Sequence, residues 1–304
     1  MKATEQPTEG RKWRGYTGGS FWGQWSLILL FKRSDVRLGY FLMALVVPFY
    51  MLFSCKNRRA IFSYFRKQWG FSTWKSLVKT YRNHFVFGQI ILDRFAVFAK
   101  GKNRFEVEII GNEHFSRLTN SEKGFIIAGS HIGNFEIAGY LLPSEKKAIN
   151  ALIYPGETKV VQKNRSGILE NNNVHLIPVL NDLSHLFAVN AALQRGEIVS
   201  MPCDRNFGSA KCVECHFLNG KADFPIGAFA LATHLDVEVL SVFVIKQTNK
   251  KYTVYVKPVE IEGRDLPATH REKIERYVRS FAKEMENIVR QYPEQWFNFY
   301  PFWK

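Results

Sequence analysis

Hydrophobic and polar residues recur along this chain with two different periods. Residues 60–100 repeat aromatic and aliphatic side chains at steps of mostly two to four, with Lys and Arg between them. That spacing predicts amphipathic helices. From about residue 103 onward, short apolar runs bounded by glycine or polar residues alternate with longer periodic segments. Such runs are typical of buried strands separated by helices.

The second part of the chain therefore predicts an α/β fold. The predicted strands are 105–110, 124–130, 174–179, 197–201, 237–245 and 252–259. The predicted helices are 134–142, 183–195, 226–234 and 270–292. Alternation of this kind predicts a mixed, largely parallel central sheet flanked by helices.

An uncharged run from Leu38 to Cys55 precedes these elements and predicts a membrane-anchoring helical segment. Its length is close to the ~20 residues that cross a bilayer, so a spanning helix and a monotopic helix on the membrane surface both remain open. Basic residues flank both ends of the run. We predict that residues 1–58 form a basic and aromatic N-terminal segment that carries this anchor.

Composition favours a membrane over nucleic acid as the partner. The formal net charge is +15 and aromatic residues make up 15% of the chain. Positive charge attracts polyanions, and here the basic residues of the N-terminal part surround apolar sequence. No motif typical of nucleic-acid binding accompanies them. Four cysteines in 304 residues argue against a secreted fold built on disulfides.

The sharpest local motif is GSHIGNFE over residues 129–136, where a predicted buried strand gives way to a predicted helix. Open α/β sheets bind ligands at the carboxyl ends of their strands. His131 and Glu136 are close enough in sequence for the Glu136 carboxylate to accept a hydrogen bond from one imidazole nitrogen, which leaves the other nitrogen as a general base. A substrate hydroxyl would then be the nucleophile. The alternative is a histidine that caps a helix, with a glutamate in its first turn.

Cysteines offer a competing interpretation of the chemistry. Cys212, Cys215 and His216 match the haem-attachment spacing, and Cys203 could add a ligand to a zinc site. Successive side chains of a strand point to opposite faces, so the adjacent Cys215 and His216 would reach one ion only with difficulty. We therefore expect neither a metal nor another cofactor.

Four blocks of sequence resemble, in order, the motifs of one enzyme family. They are 130–136, 201–208, 217–228 and 292–304. They are similar to G-H-x-G-N-x-E, P-D-x-D-Y-G, F-F-G-x-x-A-x-x-x-x-G and P-E-Q-W-x-W. In these motifs the chain resembles the lipid A late acyltransferases, the lauroyl/myristoyl transferase branch of the lysophospholipid acyltransferase superfamily. Cys203, Asn206 and Asn298 depart from the pattern, and the final Arg-Trp is missing, which leaves the identity of the acceptor open.

The resemblance implies a lipid acyltransferase domain over residues 59–304, with His131 as base and Glu136 as its partner. The donor would be an acyl carrier protein or acyl-CoA thioester. The expected acceptor is a lipid A precursor, with a lysophospholipid, an amino-acid lipid or a polyene lipid as alternatives. A non-catalytic membrane-surface protein is the rival class. The expected location is the bacterial inner membrane, with the catalytic domain on the cytoplasmic side.

Further residues are expected to contact the substrate or the oxyanion of the reaction. Backbone N–H groups of Gly133 and Asn134, at a predicted helix start, are candidate oxyanion donors. Arg165 is a candidate for holding a phosphate or the thioester oxygen. Asp204 and Arg205, in the second block, are expected in the same site.

Overall fold

The computed structural model describes residues 31–304 except 32, 101–103, 143, 145, 154–172, 180–183, 206–210, 262 and 264–266. The described helices are α1 (Val36–Phe53), α2 (Cys55–Ser63), α3 (Thr73–Lys100), α4 (Asn112–Thr119), α5 (Ala138–Leu141), α6 (Ser184–Gln194), α7 (Gly227–Leu235) and α8 (His270–Gln291). The described strands are β1 (Glu106–Ile110), β2 (Phe125–Gly129), β3 (Ile149–Ile153), β4 (Val174–Pro178), β5 (Ile198–Pro202), β6 (Cys212–Phe217), β7 (Gly220–Pro225), β8 (Val239–Lys246) and β9 (Lys251–Pro258).

A seven-stranded sheet in the order β1-β9-β8-β2-β5-β3-β4 forms the centre of the fold. Strand β2 pairs in parallel with both β5 and β8, and β3 pairs in parallel with β4 and β5. Strand β9 is antiparallel to β8 and parallel to β1. Helices cover both faces, which confirms the predicted mixed, largely parallel α/β fold.

Hydrophobic cores lie on both faces of this sheet. In β2, Ile126 and Ala128 pack into one core, and their neighbours Phe125 and Ile127 pack into the other. Every residue of β8 is buried, as expected of a strand covered on both faces. The carboxyl ends of the central parallel strands are therefore held in a rigid frame.

Helix α8 shows how local sequence sets an element's boundary. It begins with a capping box, in which Thr269 accepts from the backbone N–H of Glu272 and the Glu272 side chain accepts from the backbone N–H of Thr269. It ends at Gln291, two residues before Pro293, which starts a 3₁₀ turn over Pro293–Gln295. The chain then returns along the sheet to the loop that follows β2, where it forms an isolated bridge.

Predicted and observed elements differ in several places. The predicted helical region 60–100 is divided by a π-helical turn at Tyr64–Gln68 and by Gly70, whose φ is +63°. The predicted helix 134–142 is a 3₁₀ turn (Phe135–Ile137) followed by the short α5. Strand β3, helix α4 and the β6–β7 hairpin were not predicted from the sequence.

Helix α1 lies against α3 and exposes its other side. Asp35 caps its start by accepting a hydrogen bond from the backbone N–H of Arg37 (2.9 Å). The Tyr81 hydroxyl of α3 donates to the carbonyl oxygen of Ala44 (3.3 Å). Among the described residues, α1 is the one helix long and apolar enough to cross a membrane by length and composition. The division of the chain into 1–58 and 59–304 stays a prediction.

Candidate active site

Adjacent parallel strands bring two polar residues together at one edge of the sheet. Strands β2 and β5 pair along their whole length, with Gly129 opposite Pro202. The backbone N–H of Cys203 donates to the carbonyl oxygen of Gly129 (2.9 Å) just beyond them. His131 follows β2 and Asp204 follows β5, so parallel pairing delivers both to the edge where α/β sheets bind ligands.

Asp204 holds His131 at two points. Nδ1 of His131 lies 2.8 Å from Oδ1 of Asp204, and the backbone N–H of His131 donates to Oδ2 (2.9 Å). A carboxylate can only accept, so Nδ1 carries the proton and Nε2 is the nitrogen that lacks one. The Asp204 side chain is 2% exposed, and that of His131 is 16% exposed. The pair is thus a buried carboxylate that orients a partly accessible imidazole.

Electrostatics keep the Asp204 carboxyl ionised. Burial raises its pKa, but the charge of His131, its hydrogen bonds and the charge of Arg205 outweigh burial, so the pKa lies below its usual value. Burial lowers the pKa of Arg205 despite the neighbouring Asp204 charge. The Arg205 guanidinium donates through Nη2 to the carbonyl oxygen of Phe297 (2.7 Å) and lies 5.5 Å from the centre of the Tyr300 ring.

The loop after β2 is fixed between β8 and the C-terminal segment. The backbone N–H of Gly133 donates to Gln295 O (2.7 Å), and that of Asn134 donates to Val244 O (2.7 Å). Gly133 has φ +59°, and an added Cβ would overlap the carbonyl oxygen of Val244. Only glycine fits this close approach without strain. The carbonyl of His131 in turn accepts from the backbone N–H of Phe297 (3.0 Å).

These bonds change two roles expected from the sequence. The N–H groups of Gly133 and Asn134, expected to face an oxyanion, already donate to backbone carbonyls and would have to give up those bonds. Asp204, expected to contact the substrate, is instead the hydrogen-bond partner of His131. A carboxylate has no proton to offer an oxyanion, whereas it orients an imidazole well.

The side chains of two other predicted site residues lie outside the described part of the structure. Glu136 lies in the 3₁₀ turn Phe135–Ile137, but its side chain is outside the described part of the molecule, so its bond to His131 remains a prediction. Arg165 also lies outside the described residues. Arg205 is buried beside Asp204, as already described, and its predicted contact with substrate stays a prediction.

Aromatic residues that the sequence analysis did not assign to the site border His131 and Asp204. The ring of Phe135, which is exposed, lies edge-on to the His131 ring with centroids 4.9 Å apart. The Tyr300 hydroxyl donates to the Asp204 carbonyl oxygen (3.4 Å). Trp296 is fully buried and forms an isolated bridge with Ile132. The signals in the sequence for these contacts are the 129–136 motif, which contains Phe135, and the aromatic richness of the last nine residues.

The cysteines of the competing interpretation do not converge. Along β6 the buried residues are Val213, Cys215 and Phe217, and His216 faces the other side. Burial raises the pKa of the Cys215 thiol to about 11. Among the described residues, no group of three His, Cys, Asp or Glu side chains is placed to hold a metal ion.

Comparisons with known proteins place the chain in a family. No curated protein is similar enough in sequence to count as a relative. Among solved structures, the 1-acyl-sn-glycerophosphate (LPA) acyltransferase PlsC from Thermotoga maritima is similar, with 15% identity, coverage of 83% of this chain and 98% of that chain, and a TM-score of 0.34. The sequence profile described as bacterial lipid A biosynthesis acyltransferase matches residues 75–304, which include His131, Asp204 and the C-terminal segment around them. The chain therefore belongs to the bacterial lipid A biosynthesis acyltransferase family.

Proposed function

We propose that this acyltransferase moves a fatty acyl group from the thioester of acyl carrier protein or coenzyme A to a hydroxyl of a lipid, first of all a lipid A precursor. The observation that carries the proposal is the His131–Asp204 pair, with Nδ1 and Oδ1 2.8 Å apart at the carboxyl edge of β2 and β5. A histidine whose Nδ1–H is held by a buried carboxylate presents Nε2 as a general base.

Acyl transfer at this site needs one proton acceptor and a means of stabilising negative charge. Nε2 of His131 takes the proton of the acceptor hydroxyl while the oxygen attacks the thioester carbonyl carbon. The tetrahedral intermediate then collapses and breaks the carbon–sulfur bond. The thiolate leaves and takes the proton back from His131, so that an ester and a free thiol are formed. The substrate hydroxyl is the nucleophile, and the enzyme forms no covalent intermediate.

Charged residues around His131 support each stage of this reaction. Asp204 stays ionised and stabilises the imidazolium that forms after proton transfer. Arg205, which is buried next to Asp204, is the proposed source of positive charge for the developing oxyanion. Glu136 remains a proposed second acidic group of the His131 loop, and Arg165 remains a proposed contact for a phosphate or for the thioester oxygen.

We further propose that the protein is bound to the cytoplasmic side of the bacterial inner membrane. Exposed apolar residues crowd the side of α1 that faces away from α3: Leu38, Phe41, Leu42, Leu45, Val46, Phe49, Leu52 and Phe53. We call these eight residues the α1 face. Contiguous exposed apolar surface of this kind marks an interaction site, and Lys56 and Arg59 of α2 are exposed just beyond it. Because α1 packs along α3, we propose that it lies in the interface rather than crossing the bilayer.

The decisive experiment supplies purified, detergent-solubilised protein with labelled acyl donor and separates the lipid products. Acyl carrier protein and coenzyme A thioesters are compared as donors, and a lipid A precursor, a lysophospholipid and an amino-acid lipid as acceptors. His131→Ala is the control and should lower turnover by about 10²–10⁴-fold. If the acyl group is transferred to another of these lipids, the proposed acceptor is wrong but the proposed acyl-transfer mechanism stands. Wild-type turnover by His131→Ala would refute the mechanism.

A further inference from the structure

A buried polar cluster lies behind the His131 loop, on the side of the sheet that faces α1 and α3. It consists of Tyr40 of α1, Asp93 of α3, Lys246 of β8 and Tyr252 of β9, and we call it the Asp93 cluster. All four side chains are buried, and Asp93 is completely so. The cluster therefore joins the helix that carries the α1 face to the two strands behind the candidate active site.

Asp93 is the acceptor at the centre of this cluster. Its carboxylate accepts hydrogen bonds from the hydroxyls of Tyr40 and Tyr252 and forms an ion pair with the ammonium group of Lys246. Nζ of Lys246 also donates to the Tyr40 hydroxyl (2.8 Å). It lies 4.9 Å from the centre of the Tyr40 ring and 5.0 Å from that of Tyr252, within cation–π range.

Stability alone is a poor explanation for such a cluster. Taking two charges out of water is expensive, and well-packed apolar residues often serve a core as well or better than a buried ion pair. Burial raises the pKa of Asp93 and lowers that of Lys246, which is the same desolvation cost seen from each partner. What a satisfied buried network does supply is a fixed geometry, because each hydrogen bond constrains the direction of the next.

That geometry extends to the catalytic loop by two routes. The Tyr252 hydroxyl, which donates to Asp93, accepts from the side-chain amide of Asn134 (3.2 Å). Asn134 is fully buried and lies three residues after His131. The backbone of Lys246 exchanges two hydrogen bonds with the Gln295 side chain, N–H to Oε1 (3.0 Å) and Nε2 to O (2.8 Å). Gln295 in turn holds the N–H of Gly133 through its backbone carbonyl.

We infer that Asp93 and Tyr252 are positioning residues for acyl transfer. They fix Asn134, and through it the loop that aims His131, and Tyr40 makes this geometry depend on α1 being in place. The inference rests on the proposed role of His131 as base. None of the cluster side chains touches the reacting atoms in this scheme. They act on turnover by fixing the loop, because a displacement of about 1 Å in a catalytic group can cost about a hundredfold in rate.

Tyr252→Phe is the central test, since it removes one hydroxyl and keeps the ring that fills the core. The matched control is Tyr255→Phe, which removes from the same strand a hydroxyl that pairs with Tyr292 (2.8 Å) outside the cluster. In the acyl-transfer assay described above, Tyr252→Phe should lower kcat about tenfold. The KM for the acyl donor and the KM for the lipid acceptor should each stay within about twofold of the wild-type value. Tyr255→Phe should change neither. Melting temperatures of the two variants should be similar.

The contribution of α1 is tested by Tyr40→Phe against Tyr81→Phe. Both residues bridge α1 and α3, but the Tyr81 hydroxyl binds the Ala44 carbonyl and lies outside the cluster. Tyr40→Phe should lower kcat several-fold at unchanged KM, and Tyr81→Phe should leave kcat unchanged. The double variant Asp93→Asn with Lys246→Met removes both charges together, so that neither is left unpaired in the core if Asp93→Asn alone fails to fold. It should lower kcat at least as much as Tyr252→Phe.

Two results separate failure of this inference from failure of the proposed function. If His131→Ala is inactive but Tyr252→Phe, Tyr40→Phe and the double variant all keep the wild-type kcat, the Asp93 cluster is structural only and the inference is overturned. If His131→Ala retains wild-type turnover, the proposed function itself fails. The positioning role would also be overturned if Tyr252→Phe changed only KM and not kcat. The same holds if Tyr255→Phe lowered kcat as much as Tyr252→Phe.

Discussion

Nδ1 of His131 lies 2.8 Å from Oδ1 of Asp204, although the two residues are 73 positions apart in the chain. The second carboxylate oxygen binds the backbone N–H of the same histidine (2.9 Å). A carboxylate that accepts hydrogen bonds from both the ring and the backbone of one histidine fixes the orientation of the imidazole as well as its tautomer. This relationship, rather than the short His131–Glu136 spacing, is the structural basis for treating His131 as a base.

Asp204→Asn should lower kcat by about 10²–10⁴-fold with little change in folding, because the amide keeps the shape but loses the charge that stabilises imidazolium. The assay is acyl transfer to lipid at saturating donor. Glu136→Gln is the companion variant. A larger loss in Glu136→Gln than in Asp204→Asn would show that the residue five positions after His131 is its main acidic partner.

The depressed pKa of Asp204 predicts the shape of the pH–rate profile. The folded pKa lies below the value of about 3.9 for an unfolded chain, so the stabilisation from ionised Asp204 is fully present above about pH 4 and is lost as the pH falls through the folded value. Asp204 is therefore ionised throughout the range in which imidazole titrates. The acidic limb of kcat/KM should therefore have a slope of one, because Asp204 adds no second titrating group above about pH 4. A slope of two would contradict this, since a second group would then titrate with His131.

Much of the fold, and part of the site, is predictable from local sequence. Apolar runs bounded by glycine locate β2 and β5, and the motif around His131 marks the end of β2. Strand order is a different matter, because β3 and β4 come between β2 and β5 in the chain and to one side of them in the sheet. The pairing that brings Asp204 to His131 is non-local, so no periodicity within either segment predicts it.

Tertiary contacts also explain the local errors. The predicted helix 134–142 is a 3₁₀ turn and one short helix, and it follows a loop whose Gly133 and Asn134 N–H groups are bound by the C-terminal segment and by β8. Asp93 reads as a polar residue of an amphipathic helix, and its ion pair with Lys246 spans 153 positions. Its buried role depends on packing between α1, α3 and the sheet, which hydrophobic periodicity alone does not describe.

Gly133→Ala should disrupt the loop that carries His131. The added Cβ overlaps the Val244 carbonyl, and φ +59° is costly for any residue with a side chain. We expect a loss of at least about 1–3 kcal/mol in the free energy of unfolding, together with a large loss of turnover. Chemical denaturation and the transfer assay measure the two effects.

Gly70→Ala is the control for backbone strain without overlap, since Gly70 has φ +63° but nothing within 4 Å of an added Cβ. Gly70→Ala should lower the free energy of unfolding by only about 1 kcal/mol and leave kcat unchanged. Equal effects of Gly70→Ala and Gly133→Ala on turnover would mean that the close approach to Val244 has no special role.

Phe41→Asp combined with Phe49→Asp should weaken membrane binding through the α1 face. Both rings are exposed, and burying a phenylalanine in an apolar environment contributes about 1.5–3 kcal/mol. Losing both should lower partitioning onto vesicles that contain anionic lipid by about a hundredfold or more. Phe187→Asp is the matched control, because Phe187 is 76% exposed but lies on α6. Vesicle flotation that stays at the wild-type level in the double variant would reject the α1 face as the docking surface.

The orientation of α1 can be tested from its two ends. The helix is about 27 Å long at 1.5 Å per residue, close to the thickness of a bilayer's hydrocarbon core, so length does not separate a crossing helix from one in the interface. Packing along α3 favours the interface, and then both ends face the same compartment. Cys55 is free and exposed at one end, and Arg33→Cys, made with Cys55→Ser, supplies a thiol just before the other end. A membrane-impermeant maleimide added to inverted vesicles should label both thiols without detergent. Labelling of only one of them until detergent is added would show that α1 crosses the membrane.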